Sequence, residues 1–332
     1  MRNEEAVPPT NVPVVASDAF GLGTFALSGQ TFVGMLREGV VHDTRPFFGT
    51  EATIRSLLGD WDAAIDALVD ILPSLTDGFS LDSLEVLPPV QPVGQILCAG
   101  ANYRVHVEQI AKSMLRDQGD PRSDEELRAF ALETVERQAQ SDPFMFVGLP
   151  SAVSGAYDDL ILWTPGEQHD WELELGVILK SAAHRISPDE AFDHIAGYIM
   201  SNDITVRDVM ARSNVPLTDF VTSKNRPTYF PTGPVILPAR FVPDYRRLNI
   251  TLKVNGETMQ DELVADIIHG VEKCVSYASH SARLSAGDMV LTGSPAGNAG
   301  KHGNRWLRPG DVMEASITGL GTQATRCVAS PL

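Results

Sequence analysis

Cysteine is scarce: Cys98, Cys274 and Cys327 are three in 332 residues, far apart and set in apolar surroundings. An odd, scattered set of thiols excludes both a disulfide framework and a zinc cluster, and reads as buried free thiols. Basic residues are short as well, with 26 Lys and Arg against 43 Asp and Glu and a formal net charge of -17. Neutralising phosphates takes clustered Lys and Arg, so no nucleic-acid partner is expected. No apolar run approaches the ~20 residues that span a bilayer, and Met1-Arg2-Asn3-Glu4-Glu5 has no apolar signal core. The expectation is a cytoplasmic protein with no membrane partner. Neither Gly21-Leu22-Gly23 nor the Gly-rich run at 293–297 has dinucleotide-binding spacing, and no P-loop, repeat or low-complexity tract is present.

What is there is an ordinary globular composition, 43% hydrophobic and 21% charged, with length for about two domains. Residues 1–15, with Pro8, Pro9 and Pro13, predict a poorly ordered lead-in. From residue 20 to about 41, Thr, Phe and Val punctuated by Gly predict two or three short strands turning at Gly29 and Gly39. Ile54, Leu57, Leu58, Trp61, Ile65, Leu68, Val69 and Leu72 then recur at helical spacing, ended by Pro73. These make a small N-terminal α/β module, residues 1–90, with the Pro-rich stretch 87–92 as linker.

The second domain, 93–332, opens on the apolar strand Gln95-Ile96-Leu97-Cys98-Ala99. A turn at 100–102 follows, and then a helix that carries His106 early. Residues 112–142 read as a helical insert, in which the capping box Ser123-Asp124-Glu125-Glu126 starts one amphipathic helix, a lid or an oligomer contact. Beyond residue 144 the chain is strand-rich. Helix is expected only near 188–194 and over 264–283, where Val264, Ile267, Ile268, Val271, Val275 and Ala278 share a face. The fold class expected is α+β, rich in β.

Chemistry concentrates between residues 170 and 208. In Asp170-Trp171-Glu172-Leu173-Glu174-Leu175, strand alternation puts Trp171, Leu173 and Leu175 on one face and Glu172 and Glu174 on the other. An isolated E-x-E usually faces water on an edge strand. Here a second polar group, Asp203, Arg207 and Asp208, follows the next apolar run. A hard cation between the two glutamates, with Asp203 as third oxygen ligand, turns their repulsion into a binding site.

The polar clusters in order are G-x-N-Y-x-x-H at 100–106, E-x-E at 172–174, N-D-x-x-x-R-D at 202–208, Lys224, V-N-G-E at 254–257 and G-D-x-x-x-T-G-S-P-x-G at 287–297. This series resembles the fumarylacetoacetate hydrolase superfamily over roughly residues 95–325, and the first module resembles the N-terminal domain of its longer members. The resemblance implies a mixed β-sandwich or roll, a homodimer, and a magnesium or manganese ion, calcium being admissible. By position Glu172, Glu174 and Asp203 match the metal carboxylates, Lys224 the lysine that helps hold metal and substrate, and His106 the catalytic base. Tyr103, Arg207, Asp208, Thr292 and Ser294 lie in motifs that line the pocket.

Several positions depart from the pattern. The glutamate that orients the imidazole three residues after the histidine is Gln109 here, with Glu108 one place early. Residues 298–310 hold no carboxylate, Met210 replaces the glutamine of R-D-x-Q, and Gly148 stands where a lysine is common. Arg207 and Asp208 are expected to form an ion pair that shapes the site, and His169 and His302 to lie at the surface. The leading expectation is a metal-dependent hydrolase cleaving the carbon-carbon bond of a small 2,4-dioxo acid. A decarboxylase or tautomerase of a 2-oxo acid, and an inactive metal-binding scaffold, are the alternatives.

Overall fold

The computed structural model describes residues 12–331 except 118. Most of the lead-in, residues 1–11, therefore lies outside the described residues. From Val12 the chain is held: Arg247 Nη1 donates to the Val12 carbonyl at 2.7 Å, and Val14 and Val15 pack on the main core.

The first strands, Gly21–Leu27, Gln30–Arg37 and Val40–Asp43, form a meander. Its two turns, Ser28-Gly29 and Glu38-Gly39, take positive φ at both residues, as two-residue hairpin loops require. Short strands Phe79–Ser80 and Glu85–Leu87 complete a five-stranded sheet. The helix Trp61–Ile71 buries Trp61, Ala64, Ile65 and Leu68, one face of a 3.6-residue repeat. That face belongs to the same hydrophobic core as the rest of the chain. Trp61 Nε1 donates to the Ala196 carbonyl at 2.8 Å, and Leu22 bridges Ile236.

The fold is α+β. Its centre is a mixed sheet running Met145–Gly148, Ile96–Ala99, Met289–Leu291, Leu173–Leu179, Ile195–Asn202, Phe230–Thr232 and Val153–Gly155, with Leu237–Pro238 beside Ile195–Asn202. A second sheet, Glu257–Leu263, Asn249–Val254, Val312–Ile317, Thr322–Ala329 and Leu160–Leu162, packs against it. Leu173–Leu179 is thus central, and every residue in it is buried. The E-x-E segment has no edge and no solvated face, so alternation there separates two interiors rather than core from water.

Two expected helices differ. The insert holds two helices, Arg104–Asp117 and Asp124–Ala139, because the helix bearing His106 continues through residue 117 before the Ser123 capping box starts the next. The helix expected over 264–283 begins at Val271. Asn102 accounts for the delay: its side chain donates to the His269 carbonyl and accepts from the His269 N–H, both at 2.9 Å, and its carbonyl accepts from Ile268 N. Those bonds hold 267–269 out of the helix against a helical pattern, a tertiary override of local periodicity. Among the described residues no helix is long and apolar enough to cross a membrane.

Candidate active site

Glu172 sits in the break between His169–Asp170 and Leu173–Leu179, and Glu174 is the second residue of the latter strand. In the antiparallel pair Leu173 opposes Asn202, so Asp203 falls beside Glu172, its N–H donating to the Glu172 carbonyl at 2.9 Å. The register therefore brings the three acids together. Carboxylate oxygens of Glu172, Glu174 and Asp203 lie within 4.8 Å of one another, all three buried.

Three buried carboxylates repel and lose hydration, so the site must supply positive charge or protons. Lys224, at the end of the short helix Phe220–Lys224, puts Nζ 2.6 Å from Glu172 Oε2 and from Asp203 Oδ2, and 2.8 Å from Thr205 Oγ1. Arg207 donates to Asp170 Oδ2 at 2.9 Å and to Glu172 Oε1 at 2.6 Å. Burial alone would raise Glu172, but the Lys224 and Arg207 charges outweigh it and hold the carboxyl well below its usual range. For Asp203 burial prevails over the Lys224 charge and its pKa rises. Glu174 rises further, through burial and the neighbouring Asp203 and Glu172 charges, although Gly293 N donates to it at 2.8 Å.

This donor set fits a hard divalent cation. The oxygens converge from two strands, and Asp203 Oδ1 is buried with no hydrogen-bond partner, an acceptor left facing the cluster.

These groups line an inner cavity of about 150 Å³ together with His106, Arg207, Met210 and Ser294, and with Phe144, Phe146 and Phe220 as its apolar wall. His106 is almost wholly buried and, among the described residues, makes no hydrogen bond. Burial first, with the Arg207 and Lys224 charges set against Glu172, lowers its pKa to about 4 and keeps the ring neutral. Neither expected partner holds it. Glu108 is drawn to Lys112 one helical turn on, and Gln109 lines a separate outer cleft.

Other expected residues stand further out. Tyr103 is fully buried outside the cavity lining, and the Thr292 hydroxyl donates to the Leu175 carbonyl at 2.7 Å, pinning its loop to the central strand. Arg207 and Asp208 do not pair. Asp208 is exposed and accepts from Glu167 N at 2.9 Å and Gln168 N at 3.3 Å, because the chain turns between them. His169 is buried beside Tyr229 rather than at the surface, since its strand pairs with Thr205–Val206, and His302 contacts the Met259 carbonyl at 3.0 Å. At Gly148 a Cβ would lie 2.9 Å from Ile96 and 3.0 Å from Phe230, so that position faces packed side chains and has no room for a lysine.

Sequence reasoning passed over Asp170, Asn298, Phe146 and Phe220. Asp170 carried a signal, for D-x-E-x-E is one parity of one extended stretch. Phe146 and Phe220, stacked at 4.6 Å with Lys224 Nζ 4.9 Å from the Phe146 ring, carried none.

Comparison with known proteins finds relatives along most of the chain. Residues 95–328 match the family described as fumarylacetoacetate (FAA) hydrolase C-terminal. The 2,4-didehydro-3-deoxy-L-rhamnonate hydrolase of Sphingomonas sp. (strain SKA58) is 30% identical over 83% of this chain and 93% of its own. The oxaloacetate tautomerase YisK of Bacillus subtilis is 30% identical over 74% and 73%. Among solved structures, maleylpyruvate hydrolase from Sphingobium sp. SYK-6, in complex with manganese(II) and pyruvate, superposes with a TM-score of 0.71 at 22% identity, covering 93% of this chain and 99% of its own.

Proposed function

The chain belongs to the fumarylacetoacetate hydrolase family, and from that premise we propose that it is a divalent-metal-dependent hydrolase cleaving the carbon-carbon bond of a small 2,4-dioxo acid. The observation that carries this reading is the buried carboxylate triad opening, with a neutral His106, into one cavity. A magnesium or manganese ion held by Glu172, Glu174 and Asp203 would polarise the 2-oxo carbonyl of such an acid and favour its enolate form.

The remaining chemistry falls to the chain's own residues. His106, uncharged and inside the cavity, accepts a proton from water, whose oxygen attacks the C4 carbonyl. The C3–C4 bond breaks, its electron pair passes to the pyruvate enolate, and a proton delivered to C3 leaves pyruvate and a carboxylic acid. The Lys224 ammonium, already at the carboxylates, adds positive charge where the enolate oxygen develops. Arg207 positions Glu172 and Asp170 and touches no reacting atom in this scheme. Phe144, Phe146 and Phe220 give the enolate an apolar wall on one side.

A second reading is supported by the unpartnered His106. Tautomerising an oxo acid moves one proton and needs no imidazolium held by a carboxylate, and one relative is named an oxaloacetate tautomerase. Both are tested with purified protein and manganese, on acetylpyruvate and on oxaloacetate. Manganese-dependent release of pyruvate from acetylpyruvate, lost in His106→Ala, supports the hydrolase. Enol-keto interconversion of oxaloacetate without acetylpyruvate cleavage moves the assignment to the tautomerase. Activity on neither substrate overturns both.

A further inference from the structure

We propose that the outer cleft beyond His106 is a subsite for a hydroxylated tail, so that the protein takes sugar-acid-like 2-oxo acids in preference to alkyl ones. The inference rests on the inner cavity being where the oxo-acid end binds. The cleft, about 620 Å³, lies between the Arg104–Asp117 helix and the 298–306 loop and shares His106, Ile110 and Arg207 with the inner cavity. A substrate longer than the inner cavity passes the imidazole and enters it.

The lining is matched to hydroxyl groups. Asn298 is 6% exposed, and its Nδ2 donates to the Trp171 carbonyl at 2.7 Å while its Oδ1 has no partner. That buried oxygen requires a donor. The side-chain amides of Gln109, Gln168 and Asn304 make no hydrogen bond among the described residues, and each offers both donors and an acceptor. A hydroxyl donates and accepts, so it can answer the buried Asn298 Oδ1 and the half-buried amides of Gln109 and Gln168, with Asn304 exposed at the rim. A second carboxylate only accepts and leaves Asn298 Oδ1 unpaired; an alkyl chain leaves it unpaired too and takes water from the half-buried Gln109 and Gln168 amides. Charge is nearly spent here, Lys112 on Glu108 and Arg207 on Asp170 and Glu172, which leaves Lys301 as the lining cation without an ion pair among the described residues. Trp306 supplies an apolar wall for the C–H faces of a polyol.

A competing site for the tail is an apolar cavity of about 360 Å³ between the two insert helices, lined by Val107, Leu115 and Phe130. It shares Ala101 and Ile110 with the inner cavity, and Gln138 Nε2 donates to the Ala101 carbonyl beside them. It meets the site at apolar side chains, away from Arg207.

The test is calorimetric binding to the full chain with manganese. The probes are pyruvate, a six-carbon 2-oxo-3-deoxy sugar acid, 2-oxohexanoate and 2-oxoadipate, compared at equal open-chain concentration. The sugar acid is expected to bind about tenfold more tightly than 2-oxohexanoate, since several hydrogen bonds are gained. Asn304→Gly, which keeps the positive φ of that position, and Lys301→Met are each expected to cut that preference by at least half while pyruvate binding stays unchanged, which also reports an intact fold. Tighter binding of 2-oxohexanoate or of 2-oxoadipate, or a preference untouched by both variants, overturns the inference. Pyruvate bound with no tail preference sinks the hydroxyl subsite alone; pyruvate not bound sinks the proposed function and the subsite with it.

Discussion

Lys224→Met keeps the length of the side chain and removes an ammonium that is 3% exposed and 2.6 Å from two carboxylates. In the metal-free variant Glu172, Glu174 and Asp203 still crowd within 4.8 Å, with only the Arg207 guanidinium, on Glu172, left to offset them. Removing one partner of a buried ion pair costs about 3–5 kcal/mol, because the remaining charge is left uncompensated. Protonation limits the loss. Asp203 and Glu174 are already raised by burial, and without Lys224 both rise further. A carboxyl whose folded pKa lies above its unfolded value holds a proton that the unfolded chain does not, so stability falls as pH rises through that window. One such proton makes the variant lose about 1.4 kcal/mol per pH unit relative to wild type. Denaturant unfolding in chelator, at about pH 6 and about pH 8, should therefore show a deficit that widens with pH. Manganese at a hundredfold excess over the variant's Kd should add about 2.7 kcal/mol to the variant's stability relative to its own value in chelator. A variant as stable as wild type in chelator at both pH values, or one that manganese leaves unchanged, refutes the reasoning.

Arg207→Leu removes the donors to Asp170 and Glu172, and manganese affinity measured by calorimetry is expected to fall about 10- to 100-fold, as for lost outer-shell partners; unchanged affinity means that Glu172 is oriented by something else. The His106 imidazole stays neutral down to about pH 4, so the acid limb of kcat/KM is expected well below 6.5, the free imidazole's value, and a limb at that value contradicts a buried base. The same depressed pKa gives a stability term that is complete above pH 6.5 and lost as pH falls toward about 4, and His106→Gln should flatten that slope in denaturant titrations. Trp61→Phe leaves the buried Ala196 carbonyl without its 2.8 Å donor and is expected to destabilise the chain by about 1–3 kcal/mol; wild-type stability in that variant means that another donor replaces the indole.

What the sequence disclosed follows from the range of the forces involved. The Trp61–Ile71 helix and the hairpins at Ser28-Gly29 and Glu38-Gly39 rest on periodicity and positive φ, which neighbouring residues decide. The proximity of Glu172, Glu174 and Asp203 was legible because one strand pairing sets it and each acid lies within or one residue beyond an apolar run. Arg207 was legible as a site residue but not its partners. Adjacency in sequence favoured Asp208, whereas the turn at 207–209 sends Asp208 to backbone donors and Arg207 across to Asp170. The non-helical path at 267–269 was hidden because Asn102, more than 160 positions away, supplies its hydrogen bonds. Phe146 and Phe220 meet only through folding, from a sheet-edge strand and a short helix capped by Asp219.

The position of His106 bears on reaction and substrate together. The inner cavity, about 150 Å³, is the smaller of the two and is the one that the carboxylate triad lines. In the proposed reaction the oxo-acid end fills that space, and the bond to be broken then lies at its mouth. His106 stands at that mouth, lining both cavities, and the outer cleft is the larger and more polar of the two. Water and tail therefore approach from the side where the base is, while the carboxylates hold the other end. A hydrolase requires that arrangement, and a tautomerase acting on the head alone needs no space beyond the imidazole. Filling the cleft separates them: Lys301→Trp should depress cleavage of tailed dioxo acids severalfold and leave oxaloacetate tautomerisation, if present, unaffected. Equal losses in both activities would place the proton transfer itself in the outer cleft and refute the division of labour between the two cavities.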